Sequence, residues 1–409
     1  MVRRSSRGWA AGAVLLALAV TAGCGPGAEE QAKEEAPKQQ GAPALPKEPV
    51  TLNVIDVAGN LALTQDAIRR YEDEHPKLVR KVNFTKAPSP ELVGKVKAQQ
   101  DADRVDLDLV LTGTDGLSAG IAQGLWLELL PNYEDKFPAL EANYLEPAAR
   151  MQELAENRGI VVTYYPSGPL IEYAPDRVSD PPTSAEELLA WAKDNPGRFA
   201  YARPANSGPG RTLLQGLPHL LGDKDPKDPE KGWDKTWAYL AELGKYVKTY
   251  PSGTADTMEG LAQGSFDMIA TTTGWDINPR ALGTVPKDAE VGTLEGFTWV
   301  TDAHYMVVPK GIEPDRLAVT LDLMAFLLEP RQQALAYDEG YFYPGPAVKD
   351  VTLDMAPAES QKVIREFGRP EYEQLIESNP KEPPIEAQAL VAAFERWDRE
   401  IGGSKVKEE

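Results

Sequence analysis

A run of polar and aromatic residues occupies positions 271–276, where the sequence reads Thr-Thr-Thr-Gly-Trp-Asp. It supplies three hydroxyls, a glycine, a large ring and a carboxylate, the kinds of groups that small-ligand sites combine. Trp275 offers a face on which a ligand can stack or a cation can rest, and Asp276 offers a charge. A tryptophan buried in the core is the alternative for Trp275. The run therefore predicts ligand contacts at Trp275 and Asp276.

A second group of hydroxyls occurs at 112–115, directly after the apolar run Val105–Leu111. If the apolar run is a strand, this loop lies at its carboxyl end, where open α/β sheets place their ligand groups. The Thr114 hydroxyl and the Asp115 carboxylate are therefore candidate contacts. A plain helix N-cap is the alternative for Asp115.

The sequence lacks the common catalytic and metal-binding motifs. Its histidines, His75, His219 and His304, are far apart, and its one cysteine excludes a cysteine-based zinc cage. No HExxH motif occurs. We expect no catalytic residue, no cofactor and no metal site. Tyr164 and Tyr165 offer two oxygen ligands for iron, but their sequence positions do not show that other ligands converge on them.

Composition excludes several classes of protein. The chain has 409 residues, enough for two domains, and 42% of them are hydrophobic. Acidic residues outnumber basic ones by 63 to 43, which gives a net charge of −20. A nucleic-acid-binding protein would need a basic face for the phosphates, so we expect no nucleic-acid partner. The 8% aromatic content argues against a disordered acidic chain.

The N-terminus is typical of an exported lipoprotein. Arg3, Arg4 and Arg7 precede an apolar stretch that is short for a membrane span, as in a secretory signal. The sole cysteine, Cys24, follows Thr21-Ala22-Gly23, which resembles a bacterial lipobox apart from the threonine. A plain secreted protein is the alternative. We predict a signal peptide at 1–24, lipidation of Cys24, and a disordered tether at 25–48 that is rich in Pro, Gly, Glu and Lys.

Strands alternate with helices along the rest of the chain, which predicts an α/β fold with a mainly parallel sheet. Thr64 is predicted to cap the first helix, and the capping box Thr183–Glu186 to open another. Strands are predicted at Val50–Val57, Val79–Phe84, Val105–Leu111, Ile160–Tyr165, Phe199–Arg203, Phe266–Thr271 and Tyr305–Val308. Helices are predicted at 64–74, Glu91–Gln99, 183–193, Trp233–Tyr250, Met258–Gln263, Pro314–Leu328 and Ile385–Ile401.

Several segments together, in their order and spacing, resemble the extracellular solute-binding proteins of ABC importers, nearest to the polyamine, iron and thiamine binders. These segments are Asp106–Leu130, Tyr173–Asp176, Pro181–Ser184, Tyr305–Lys310 and Leu321–Tyr341. The resemblance implies a periplasmic-binding-protein-like type II fold with two lobes joined by hinge strands. Lobe 1 would take residues 50–163 and, with the C-terminal helices, 303–400; lobe 2 would take 164–302.

The resemblance also implies ligand contacts at particular positions. Asn60 follows the first strand, where the family commonly contacts its ligand, although a simple turn is the alternative. Tyr164 and Tyr165 lie at the first crossover, and since strand side chains alternate, one should face the cleft. Asp302 lies before the second crossover, and Tyr341 lies in the later Gly-Tyr segment. His304 lies on a predicted strand, where a structural role is favoured, and a surface position is favoured for Arg280.

The function implied by the resemblance is capture of a small solute for an ABC permease by a monomeric lipoprotein anchored to the cell membrane. A secreted glycan hydrolase that uses carboxylates is one alternative. A surface interaction protein without a small-molecule site is another. Acidic composition and aromatic candidates favour a cationic or amine-bearing solute, but a threonine-rich loop is equally compatible with an anion at a helix N-terminus.

Overall fold

The structure is a computed structural model that describes residues 41–87 and 89–406. The predicted signal peptide, Cys24 and residues 25–40 of the predicted tether lie outside the described residues. Residues 41–48 lie within them: the Gly41 amide donates to the Asn132 carbonyl at 3.1 Å, and Ala42 packs against the core. This part of the predicted tether is therefore attached to the folded body. None of the helices in the described ranges is long and apolar enough to cross a membrane.

The described strands are β1 (Val50–Asp56), β2 (Val79–Lys86), β3 (Leu109–Thr112), β4 (Ile160–Gly168), β5 (Leu170–Tyr173), β6 (Phe199–Ala200), β7 (Met268–Thr271), β8 (Glu290–Gly292), β9 (Trp299–Val307), β10 (Gly345–Pro346) and β11 (Lys381–Glu382). The described α-helices are α1 (Leu61–Glu74), α2 (Ser89–Asp101), α3 (Thr114–Ala122), α4 (Leu140–Asn143), α5 (Glu146–Glu153), α6 (Ala185–Asp194), α7 (Gly208–Leu220), α8 (Asp234–Gly244), α9 (Thr254–Ala262), α10 (Ile277–Leu282), α11 (Pro314–Leu327), α12 (Pro330–Gln333), α13 (Ala358–Phe367), α14 (Glu371–Ser378) and α15 (Ala387–Trp397).

Two sheets organise these elements. The large sheet has the order β2-β1-β3-β9-β4-β10, with β11 beside β9, and the small sheet has the order β6-β7-β5-β8. The α/β prediction is confirmed, but the sheets are mixed rather than mainly parallel, because β4 and β9 run antiparallel to each other and β9 runs antiparallel to β3. The chain passes from the large to the small sheet between β4 and β5, and returns between β8 and β9.

Each sheet has its own hydrophobic core. The large-sheet core packs α1, α3 and α11 against β1, β3, β4 and β9. The small-sheet core contains Trp233, Trp237 and Tyr250. The C-terminal helix α15 contributes Leu390 and Trp397 to this second core, whereas the sequence assigned residues 303–400 to lobe 1. The chain therefore passes between the sheets a third time near its C-terminus.

Three helix ends differ from the sequence prediction for local reasons. Helix α1 begins at Leu61 rather than near Thr64, because the Asp56 carboxylate accepts hydrogen bonds from the amides of Ala58, Asn60 and Leu61. Ser184, not Thr183, caps α6 by accepting from the Glu187 amide at 3.1 Å. Helix α8 ends at Gly244 instead of reaching residue 250; glycine is a poor helix former.

Gly120 tests how tightly α3 packs. A Cβ on Gly120 would overlap the indole of the fully buried Trp126. We expect Gly120→Ala to lower the free energy of unfolding by about 2 kcal/mol, since overpacking a core exceeds the gain in helix propensity. Gly94 in α2 is exposed with no atom near its Cβ position, so Gly94→Ala should instead stabilise by about 0.5–1 kcal/mol. Urea unfolding of both variants measures the contrast, and equal effects would contradict the packing argument.

Candidate functional site

A cavity of about 520 Å³ lies between the large-sheet side and the small-sheet side. Both sides supply its lining: Val57, Ala58, Gly113, Asp115, Tyr165, Asp302, His304 and Phe342 come from the large-sheet side, and Ala205, Asn206, Ser207, Gly208, Arg211, Ser252, Gly253, Thr254 and Trp275 come from the small-sheet side. Its volume falls within the range typical of small-molecule pockets.

On the large-sheet side, the parallel strands β1 and β3 bring two loops together. Asp56 and Leu111 are register partners, so the residues that follow them emerge at the same edge of the sheet. Val57 and Ala58 therefore lie in the cavity wall beside Gly113 and Asp115. Asp115 is in the first turn of α3, which begins after Gly113.

On the small-sheet side, two helix N-termini border the cavity. Ser207 caps α7 by accepting from the Gly210 amide at 3.2 Å, and its hydroxyl lies 2.8 Å from that of Thr254, the first residue of α9. Gly210 is required at this turn, because a Cβ there would overlap the Ala202 carbonyl. Helix N-termini carry partial positive charge, and the first turn of α7 contains no acidic residue to compensate it.

The charged centre of the wall is the pair Arg211 and Asp302. Arg211 Nη2 donates to Asp302 Oδ2 at 2.8 Å, and the Tyr165 hydroxyl donates to the same oxygen at 2.9 Å. Burial opposes the charge on Arg211, but the negative charges of Asp302 and Asp115 outweigh it and raise the pKa of Arg211 above its usual range. Burial and the Asp302 charge raise the pKa of Tyr165 well above its ordinary value, so its proton stays in place.

His304 lines the cavity and contacts two buried polar side chains behind the wall, Asn60 and Thr163. Its Nδ1 lies 3.0 Å from Asn60 Nδ2 and 3.1 Å from the Thr163 hydroxyl. The Asn60 Oδ1 accepts from the Thr64 hydroxyl at 2.8 Å, with Nδ2 facing His304 as a donor. The His304 proton then belongs on Nε2. Burial lowers the pKa of His304, so the ring is neutral near pH 7.

Aromatic rings form another part of the wall. The Phe342 ring lies edge-on to Trp275 at 5.6 Å and to His304 at 4.8 Å, and tilted against Tyr165 at 4.9 Å. Phe342 adopts φ +48°, a left-handed conformation that is unfavourable for a phenylalanine. The Phe342 amide donates to the Gly274 carbonyl at 3.2 Å, so the loop that carries this ring is bonded to the turn that carries Trp275.

The structure brings four of the candidates from the sequence together on the cavity wall: Asp115, Tyr165, Trp275 and Asp302. It places the other four elsewhere. Asn60 is fully buried behind His304. Thr114 borders a separate groove beside Ser118, Asp276 is bonded to arginines below the wall, and Tyr341 packs against the Trp275 ring at 5.2 Å.

Three further positions bear on the sequence predictions. Tyr164 points into the large-sheet core while Tyr165 faces the cavity, as strand alternation requires. Arg280 is buried and paired with Asp276, not on the surface, because α10 packs under the cavity wall. Among the described residues, no group of three or more His, Cys, Asp or Glu side chains converges as a metal site would require.

Sequence reasoning missed Arg211, Phe342 and the N-termini of α7 and α9. The Gly/Pro-rich loop Pro204–Gly210 before a helix was a usable signal, since such loops expose backbone amides. Gly253-Thr254 before α9 was a second, weaker one. Nothing in the local sequence marks Arg211 or Phe342, because only tertiary packing brings them to Asp302 and Trp275.

An α/β body with two mixed sheets, crossing strands and a cavity between the two sides defines the periplasmic-binding-protein class, type II. The sequence profile of the family described as bacterial extracellular solute-binding protein matches residues 66–364, and the chain belongs to this family. The resemblance seen in the sequence is thereby confirmed.

This chain matches solved structures of the same fold over almost their whole length. AfuA of Actinobacillus pleuropneumoniae with bound fructose-6-phosphate has a TM-score of 0.62 at 15% identity and covers 86% of this chain and 98% of its own. The apo ferric ion-binding protein A of Pasteurella haemolytica has a TM-score of 0.59 at 16% identity, with coverage of 85% and 97%. Iron-bound HitA of Pseudomonas aeruginosa has a TM-score of 0.56 at 17% identity, with coverage of 87% and 100%. No curated protein matches the chain.

Proposed function

We propose that this protein captures a small solute in the cavity between its two sheets and delivers it to an ABC permease, while a lipid on Cys24 holds it at the outer face of the membrane. The observation that carries the proposal is the cavity of about 520 Å³ to which both sheet sides contribute, in a chain of the solute-binding family. The large-sheet and small-sheet sides would act as lobes, and β4 and β9 would form the hinge. Closure of the lobes would then trap the solute.

The cavity chemistry favours a solute with an anionic or acceptor-rich group. The Ser207 and Thr254 hydroxyls, the N-terminus of α7, and the remaining donors of Arg211 can bind a carboxylate or a phosphate. The Trp275 and Phe342 rings offer an apolar surface to the rest of the molecule. A cationic or amine-bearing solute is the alternative, and it would bind Asp115 and the aromatic faces.

Mass spectrometry of small molecules released from the denatured protein tests this proposal. We expect one compound in near-stoichiometric amount, and the same compound should raise the Tm of protein refolded without it. Chemical turnover of that compound would replace the proposal with the hydrolase alternative. No retained compound, together with no thermal shift across a broad library of anions, amines and sugars, would favour a surface interaction protein.

The anchor gives a separate prediction. Radioactive palmitate fed to a bacterial host should label the wild-type chain and should not label Cys24→Ser, since the lipobox cysteine is the sole attachment site. The variant should leave the membrane fraction, because stable anchoring needs acyl chains in the bilayer. Equal labelling of both chains, or no labelling of the wild type, would contradict lipidation at Cys24.

A further inference from the structure

Asp276 lies immediately below the cavity wall rather than in it. Trp275 lines the cavity, and Asp276, the next residue, has no exposed surface. Its carboxylate accepts from Arg280 Nε at 2.8 Å, from Arg369 Nε at 2.7 Å and from the Tyr372 hydroxyl at 2.6 Å. A buried carboxylate with this many donors is fixed in place, and it fixes the backbone that carries Trp275.

Two of these donors come from the distant C-terminal segment. Arg369 lies in the short connection between α13 and α14, and Tyr372 lies within α14. Both follow Asp276 by more than ninety residues. Arg369 Nη2 also donates to the Ala289 carbonyl at 2.8 Å, and Arg280 in turn donates to the Phe367 carbonyl. The C-terminal segment and the turn that carries Trp275 are therefore bonded in both directions.

We propose that Arg369, assisted by Tyr372, is a positioning residue of the ligand site: through Asp276 it sets the orientation of Trp275 on the cavity wall. In front, the Trp275 ring rests against Tyr341 and Phe342. On the opposite side of the turn, the bonds to Asp276 add a polar restraint to the backbone bonds that Trp275 and Gly274 make to Thr272 and Phe342. This positioning role rests on the proposed function, because the orientation of Trp275 affects binding only if the cavity holds a solute.

Charge explains why an arginine is needed. Burial opposes ionisation of Asp276, but the hydrogen bonds from Arg369 and the charges of Arg369 and Arg280 hold the pKa of Asp276 below its usual range. Without Arg369, the carboxylate loses two of its hydrogen bonds and must find water or another donor. Because Asp276 directly follows Trp275, a shift of its carboxylate acts on the turn that carries the ring.

The test uses the full chain labelled with 5-fluorotryptophan, with the Trp275 resonance assigned by its loss in Trp275→Phe. We expect Arg369→Gln to shift or split the Trp275 resonance, Tyr372→Phe to do so more weakly, and Arg369→Lys to restore part of the wild-type position. Arg198→Gln is the control, because it breaks an arginine–carboxylate pair with Asp267, and neither residue lines the cavity. It should leave the Trp275 resonance in place.

Each outcome decides the point. An unmoved Trp275 resonance in folded Arg369→Gln would overturn the positioning role even if that variant melts earlier. A shift of equal size in Arg198→Gln would also overturn it, by indicating general loosening. If Arg369→Gln does not fold, Tyr372→Phe removes one hydrogen bond and carries the same test. These readouts need no solute, so they decide the positioning role even if no compound is retained and the proposed function fails.

Discussion

Replacing Arg211 with methionine is expected to weaken binding of the retained solute about a hundredfold, a loss of about 3 kcal/mol. Methionine fills a comparable volume but removes the cation and its donors from the cavity wall. It also leaves Asp302 with Tyr165 as its side-chain partner. The negative charge of Asp302, which Arg211 balances in the wild type, then repels an anionic solute. Isothermal titration with the compound recovered from the wild type measures the loss.

A matched variant separates binding from stability. Arg316 pairs with buried Asp108 at 2.9 Å, and Arg211 pairs with Asp302 at 2.8 Å; both arginine side chains are 20% exposed. Arg316→Met should therefore lower the Tm to a similar extent while leaving solute affinity unchanged, since Arg316 does not line the cavity. Equal affinity losses in the two variants would show that Arg211 acts only through stability. Tighter binding in Arg211→Met would favour the cationic solute.

The fold class could be predicted from the sequence because it depends on periodic apolar patterns. Strands such as Val50–Asp56 and helices such as Pro314–Leu327 have patterns that local physics interprets directly. The direction in which strands pair could not be predicted in this way, and neither could the start of β3. Within the predicted strand Val105–Leu111, pairing begins only at Leu109, where β1 lies parallel on one side and β9 antiparallel on the other. Helix α15 joins the small-sheet core because Trp397 packs against Tyr201 and Tyr250, and no local signal encodes that contact.

The cavity could be predicted only in part, for a related reason. Candidates that follow strands, such as Asp115 and Trp275, were found because strand ends converge on one edge of a sheet. Asp276 also follows a strand, but its side chain turns inward to Arg280 and to Arg369, which is ninety-three residues away. Arg211 was missed because it acquires its role from Asp302, ninety-one residues away. Long-range charge pairing was the missing information at both positions.

Glu172 gives the second large effect, through pH. It lies in β5 with no exposed surface, and the Thr271 hydroxyl is the side-chain hydrogen-bonding group beside its carboxyl. Burial, and then the charge of Asp276, raise its pKa from 4.5 to about 8, although Arg369 and Arg280 act in the opposite direction. The buried side chain is therefore a neutral acid at pH 7. Ionising it inside the core would place a second negative charge beside Asp276.

The sign of the pH dependence follows from this raised pKa. The unfolded chain releases the Glu172 proton above pH 4.5, whereas the folded chain keeps it until about pH 8. The stability that Glu172 contributes is therefore complete below pH 4.5 and is lost as the pH rises to about 8, by about 1.4 kcal/mol per pH unit. Between pH 6 and 8 the wild type should lose about 2 kcal/mol through this group, since the folded-state acid is half ionised at pH 8.

Glu172→Gln should abolish that loss, because an amide cannot ionise and has nearly the same shape. Urea unfolding at pH 6, 7, 8 and 9 should give nearly parallel curves of stability against pH for the wild type and for Glu295→Gln, an exposed acid on the same side of the molecule. The Glu172→Gln curve should instead rise relative to the wild type as the pH increases, by about 2 kcal/mol between pH 6 and 8. A Glu172→Gln curve parallel to the wild type would mean that Glu172 is already ionised in the core, with its charge compensated by Arg280 and Arg369.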